Sequence, residues 1–192
     1  LTSVAIPDSV TSIGNATFQG CSSLTSVSLG KALVSLGRDA FKGCSSLSSL
    51  RVESAIVERD CPWDKRDTDS FVSRYFPDQK KDRLEEVYIG GAATRIGDNA
   101  FFESGGENVT IGQSVTIIGG GAFRSCSSLA SVTIPDSVTT IGGYSFYECS
   151  SLASVTIPDS VTSIGGGAFR SCSSLASVTI PNSVTSIGES AF

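Results

Sequence analysis

The sequence has no histidine and no methionine, one tryptophan, and few charges: Lys and Arg number 14, Asp and Glu 19, together 17% of the chain. Each shortage narrows what the protein does. A nucleophile of the Ser–His kind needs a base beside it, and the usual base is missing. A zinc site draws on His and paired Cys, and the chain has neither His nor a Cys-x-x-Cys pair. Carboxylates can still serve as acid and base, but they gather in one charge-rich segment that reads as solvated surface. No catalytic residue, metal or cofactor is expected. A net charge of −5 argues against a nucleic-acid partner, which needs clustered Lys and Arg. No apolar run approaches the ~18 residues of a membrane span, and no signal peptide is visible.

What the chain does have is a period. Leu152 to Ser174 reads LASVTIPDSVTSIGGGAFRSCSS, and copies of this 23-residue unit begin at Leu1, Leu24, Leu47, Leu84, Gly106, Leu129, Leu152 and Leu175. Apolar residues keep fixed columns. One is Ile6, Leu29, Val52, Ile89, Ile111, Ile134, Ile157 and Ile180. A second is Ile13, Leu36, Ile96, Ile118, Ile141, Ile164 and Ile187. A third is Phe18, Phe41, Phe101, Phe123, Phe146, Phe169 and Phe192. Leu-x-x-Val-x-Ile predicts a short strand entered through a corner. Pro158-Asp159-Ser160 predicts a turn, and Gly165-Gly166-Gly167 a corner whose glycines supply backbone freedom. These glycines lack the Gly-Lys-Ser/Thr ending of a phosphate loop. One unit cannot bury its own apolar row; stacked on copies of itself, it can.

The recurring pattern Leu-x-x-Val-x-Ile-Pro-x-Ser-Val-x-x-Ile-Gly-x-x-Ala-Phe-x-x-Cys resembles the BspA-type leucine-rich repeat over residues 1–52 and 84–192. The resemblance implies a leucine-rich-repeat solenoid, a parallel β-sheet arc with short turns and little helix. It also implies a surface or secreted protein of adhesive character, and it brings no catalytic residues. The expected organisation is a single domain over 1–192, of eight units with the last incomplete, and an irregular insertion at 53–83 that expands the third unit. The chain starts on the first position of a unit, stops on the eighteenth and lacks an initiator Met. Further repeats or a cap beyond one or both ends are therefore expected, with end-to-end docking of chains as the alternative.

Strand side chains alternate, so positions three and five of each unit face outward. They include Ser131 and Thr133, Ser154 and Thr156, with Arg51, Glu86 and Tyr88 interrupting a hydroxyl-rich, uncharged row near its middle. This row is either a binding strip for a protein or polysaccharide or a solubilising face of β-favouring residues. The interruption is its most specific part, because Tyr and Arg are favoured anchors. The insertion holds 15 of the 33 charged residues, eight acidic and seven basic, with Trp63, Phe71, Tyr75 and Phe76. One reading projects it outward to recognise a partner through Trp63 and Tyr75. The other folds Trp63, Phe71 and Phe76 inward to plug the gap in the isoleucine and phenylalanine columns.

Cys21, Cys44, Cys126, Cys149 and Cys172 share one column and read as small buried side chains. Cys61 lies in the insertion, where a Cys44–Cys61 disulfide is the candidate bridge. Two sequons, at Asn15 and Asn108, are candidate glycosylation sites; Asn15 lies in a corner, and Asn108 on the exposed strand face. The aspartates of the turns read as bonding the turn backbone rather than calcium. The function expected is noncatalytic binding of a protein or glycan, outside the cell or on its surface. The alternative is a structural repeat subunit of a filament or larger assembly, with lateral or end-to-end self-association.

Overall fold

A computed structural model describes residues 1–60, 70–77, 84–104 and 106–192. The chain coils into a parallel solenoid built from very short strands. In order they are β1 (Ser3–Ala5), β2 (Ser12–Ile13), β3 (Ser26–Leu29), β4 (Ser35–Leu36), β5 (Ser49–Val52) and β6 (Glu86–Ile89). There follow β7 (Arg95–Ile96), β8 (Asn108–Ile111), β9 (Ile117–Ile118), β10 (Ser131–Thr133), β11 (Thr140–Ile141), β12 (Ser163–Ile164) and β13 (Ser186–Ile187). Among the described residues helix is confined to a 3-10 turn at Ala55–Glu58 and one short α-helix, α1, at Phe71–Tyr75.

The first sheet runs β1-β3-β5-β6-β8-β10, all parallel and in register. Its inward residues, among them Val27, Leu29, Leu50, Val52, Val87 and Ile89, are at most 2% exposed. Strand length follows the residue after the isoleucine column. Where that residue is Gly30, Glu53, Gly90 or Gly112, the strand before it has four residues. The N–H groups of Glu53, Gly90 and Gly112 bond back to Leu29, Val52 and Ile89 of the preceding turn. Proline has no N–H to give. At Pro7 and Pro135 the strand has three residues, and among the described residues the ladder ends at β10. Ser154–Thr156 continues the exposed–buried alternation in extended chain but joins no sheet.

A second set of ladders was not expected from the sequence. The Ile13 column forms two-residue strands that pair as β2-β4 and as β7-β9-β11-β12-β13. The gap between β4 and β7 is where the expanded third unit passes. There the carbonyl of Val57, fully buried in the 3-10 turn, accepts the Gly97 N–H at 2.9 Å. It does what Ile13 does for Gly37 and Ile96 for Gly119. Glu58 then takes the N–H of Thr94 with one carboxylate oxygen, and Asp60 takes the N–H of Asp98 at 2.9 Å. Side-chain oxygens replace the ladder carbonyls that the insertion lacks.

The phenylalanine column is a continuous stack. Ring centres lie 5.0 Å apart for Phe18–Phe41, 5.3 Å for Phe101–Phe123 and Phe123–Phe146, 5.2 Å for Phe146–Phe169 and 5.5 Å for Phe169–Phe192. The third unit has no Phe at its place in the period, and α1 supplies it. Phe76 stacks on Phe41 at 4.7 Å and 8°, and Phe71 bridges from Phe76 to Phe101 at 6.1 and 5.9 Å. The backbone agrees: the Phe41 N–H bonds to the Tyr75 carbonyl, as that of Phe18 bonds to Ala40 and that of Phe146 to Ala168. Tyr75-Phe76 thus stands where a regular unit has Ala-Phe. The inward reading of Phe71 and Phe76 describes the structure. Tyr75 is only 5% exposed, so the partner-facing role expected of it gives way to packing against Phe71, 5.4 Å away. Trp63 lies outside the described residues.

The corner glycines need a correction. In the Gly165-Gly166-Gly167 run, only Gly167 has a positive φ, +63°. Gly165 and its equivalents Gly142 and Gly188 are small for another reason. A Cβ on Gly142 would lie 2.6 Å from the carbonyl carbon of Gly119 in the preceding turn, and the same backbone clash recurs at Gly165 and Gly188. Close approach of successive turns, rather than dihedral freedom, excludes side chains there.

Candidate functional site: the strand face of the first sheet

The outward positions of the first sheet assemble the residues that interrupt the hydroxyl row. Register places Arg51 beside Tyr88, and Glu86 beside Asn108. The Arg51 guanidinium lies over the Tyr88 ring, 3.7 Å from its centre, close enough for a cation–π contact. Glu53, the residue that follows β5, accepts from Arg51 Nε and fixes the guanidinium's orientation. The Tyr88 phenol lies across Gly90 and Gly112. A Cβ on either would come within 2.5 or 2.8 Å of its oxygen. Those two positions hold glycine where Pro135, Pro158 and Pro181 stand in later turns, and the missing side chains make the bed in which the ring lies.

Beside this cluster runs a chain of side-chain hydrogen bonds. Asn108 Nδ2 donates to Glu86 at 3.2 Å, and Ser131 Oγ donates to Asn108 Oδ1 at 2.7 Å. Three successive turns are thereby linked on their outer face. Past Ser131 the row changes character. Thr133, Ser154 and Thr156 are exposed, and their hydroxyls make no hydrogen bond among the described residues. Elsewhere the fold consumes its hydroxyls: Thr116, Thr139, Thr162 and Thr185 each donate to the carbonyl of the threonine one turn back, at 3.1–3.3 Å. Ser137, Ser160 and Ser183 donate to Val115, Val138 and Val161. Hydroxyls at the turns hold rungs together; those at Thr133 and Thr156 are spare.

The remaining candidates separate by position. Asn15 is exposed, and its Oδ1 accepts the Arg38 N–H at 2.8 Å. Asn108 is half-buried with both ends of its amide engaged, so a glycan on its nitrogen would break the Glu86 bond. The cysteine column is a thiol ladder. Cys44, Cys126, Cys149 and Cys172 donate to the carbonyls of Phe18, Phe101, Phe123 and Phe146 at 3.0–3.4 Å. Burial pushes the Cys126 thiol up to about 12 and Cys172 to about 11, and raises Cys149 as well. Cys61, the second half of the candidate bridge to Cys44, lies outside the described residues. Of the turn aspartates, Asp8 bonds the Lys31 N–H of the next turn at 2.9 Å rather than its own turn. Among the described residues no cluster of His, Cys, Asp or Glu is arranged to hold a metal ion. No described helix is long and apolar enough to cross a membrane.

Six copies of the model for the BspA type leucine rich repeat region match residues 1–60 and 79–192. The chain belongs to the BspA-type leucine-rich repeat family. Leucine-rich repeat proteins of bacteria are among the solved structures that the chain resembles. A leucine-rich repeat protein of Bacteroides ovatus is 29% identical with a TM-score of 0.63, over 97% of this chain and 47% of its own. The T. pallidum leucine rich repeat protein is 24% identical with a TM-score of 0.52, over 97% of this chain and 73% of its own. The chain therefore spans about half the length of the B. ovatus protein. No curated protein matches it. The BspA-type columns are those that the structure buries: the strand residues, the second isoleucine, the phenylalanine and the cysteine. The outward residues Arg51, Glu53, Glu86 and Tyr88 lie outside those columns.

Two elements of the site escape a reading of the sequence alone. Glu53 is the first residue of an irregular segment, and nothing in its spacing marks it as the partner of Arg51. Asn108 draws notice as a sequon, whereas in the structure it links Glu86 to Ser131. For Asn108 a signal was available in the period, since it falls on an outward column one turn from Glu86.

Proposed function

We propose that this BspA-type module is a noncatalytic recognition domain, working outside the cell or on its surface, that binds a protein or glycan along the strand face of its first sheet. The observation that carries the reading is the preassembled Arg51–Tyr88 pair, oriented by Glu53 and bedded on Gly90 and Gly112. A guanidinium stacked on a ring and already held in place loses little freedom on binding, which is what an anchor residue needs. The linked row Glu86–Asn108–Ser131 and the spare hydroxyls of Thr133, Ser154 and Thr156 extend the contact along the solenoid. The fold puts these groups on a continuous face rather than in a closed cleft, which suits holding a partner better than reacting with it. Trp63 is retained as a contributor from the insertion.

The test is a panel of immobilised extracellular proteins and glycans probed with the whole chain and with Arg51→Ala and Tyr88→Ala. A ligand whose affinity falls about tenfold or more in both variants, with melting temperature unchanged, supports the assignment. A ligand bound equally by wild type and both variants places recognition elsewhere.

A further inference from the structure

The corner that follows the second set of short strands carries a different surface. The residue after each core phenylalanine is Phe102, Arg124, Tyr147 and Arg170 on four successive turns. Rings and guanidiniums therefore alternate up the solenoid. The Arg124 guanidinium stands 5.8 Å from the Phe102 ring centre and 5.3 Å from that of Tyr147. Arg124, Tyr147, Tyr144 and Arg170 line an open recess of about 460 Å³, a size typical of sites for small ligands, ~300–1,000 Å³.

Tyr144 is the unusual member. Its φ is +55°, a left-handed conformation that a bulky side chain adopts only at a cost. Other turns hold small or short residues at this position, such as Ala16, Asn99 and Ser190. The residue is 43% exposed, and its ring lies edge-on to Tyr147 at 5.7 Å and 73° and reaches across the next turn. That reach depends on Gly167, where a Cβ would fall 2.6 Å from Tyr144 Cε1. The fold thus accepts a strained aromatic residue and clears a glycine beneath it, and the product is one wall of the recess.

We propose that this recess binds an acidic polysaccharide, taking the carboxylates of uronic-acid rings on Arg124 and Arg170 and the apolar face of an intervening ring on Tyr147 and Tyr144. Guanidinium forks match carboxylates in a bidentate fashion. The turns carrying the two arginines are separated by the Phe123–Phe146 and Phe146–Phe169 steps of 5.3 and 5.2 Å, which sets the arginines about 10 Å apart along the axis. An extended acidic peptide presents carboxylates on one side every ~6.6 Å or ~13 Å, and neither spacing fits. A pyranose chain advances by about one turn of this solenoid per ring, so acidic rings at the two arginines leave a ring between them over Tyr147. Glu103 and Glu148 follow Phe102 and Tyr147 in sequence, and Glu148 is held by the Ser125 hydroxyl at 2.9 Å. Their charge favours a polymer with one carboxylate per ring over a densely anionic one.

The experiment is calorimetric titration of the whole chain with an oligogalacturonate, a neutral β-glucan oligomer of the same length, and oligoglutamate. The oligogalacturonate is expected to bind, and the neutral sugar and the peptide to bind at least about tenfold more weakly. Arg170→Gln and Tyr144→Ala should each weaken the oligogalacturonate by about tenfold or more. Arg170 is exposed, so its variant should keep the wild-type melting temperature. No binding of oligogalacturonate at millimolar concentration, equal affinity for oligoglutamate, or an affinity indifferent to Arg170→Gln would each overturn the assignment.

Discussion

Ser145 shows how strictly each column is used. It occupies the position held by Ala40, Ala100, Ala122, Ala168 and Ala191, is fully buried, and its hydroxyl has no hydrogen-bond partner among the described residues. A buried hydroxyl left unpaired costs about 1–3 kcal/mol. Ser145→Ala should therefore stabilise the protein by about 1 kcal/mol, read as a higher urea midpoint with an unchanged slope. The thiol ladder makes a prediction of opposite sense. Folding holds Cys126 and Cys172 protonated, with thiols raised from an ordinary 9.0 to about 12 and about 11. Below pH ~9 both states keep the proton, and the thiols' contribution is whole. Between about 9 and 12 the unfolded chain releases protons that the folded one retains, so stability falls as pH rises. Urea unfolding of the wild type in reductant should weaken more steeply above pH 9 than that of Cys126→Ala. Parallel slopes would remove the thiol from the account.

At the level of elements, the instructive one is α1. Five residues long and capped by Ser70, whose Oγ accepts the Ser73 N–H at 3.1 Å, it is too short to be stable alone. It is held by what it replaces. Phe76→Ala would open a gap between Phe41 and Phe71 and should cost about 3–5 kcal/mol in denaturant unfolding. A loss below 1 kcal/mol would mean that the column does not depend on the insertion. The sequence made the strands, the columns and the inward turn of Phe71 and Phe76 legible, because a missing member of a strict period advertises itself. It hid the second ladders, because a two-residue strand leaves no alternation to read. It also hid the left-handed corner positions, since residues such as Ser125, Tyr144 and Glu148 fill them instead of glycine. Arg51, Glu86 and Tyr88 were visible as exceptions in a hydroxyl row. Their organisation was not, because it depends on Glu53 and on glycines whose only message is an absent Cβ. Tyr75 misled for a related reason: an aromatic residue in a charged segment suggests exposure, and only the stack of neighbours shows that it replaces an alanine of the repeat.

For the whole molecule, the stability of each turn resides in its contacts with the turns on either side. The period therefore sets which changes are tolerated. Deleting residues 129–151 removes one 23-residue unit and rejoins the same columns, as Leu152 then follows Ser128. That variant should remain folded by circular dichroism, with a modest fall in melting temperature. Deleting 20 residues from the same start should abolish cooperative melting, since every side chain downstream changes column.

The ring that α1 contributes has a further consequence. The neighbouring turns take from the excursion the Val57 carbonyl, the Glu58 and Asp60 carboxylates, the Tyr75 carbonyl and the Phe71 and Phe76 rings. Each is a substitute, drawn from out-of-step sequence, for something a regular unit supplies in step. What the coil demands is therefore an unbroken succession of contacts from one winding to the next, and an irregular length of chain is admissible wherever it returns those contacts in kind.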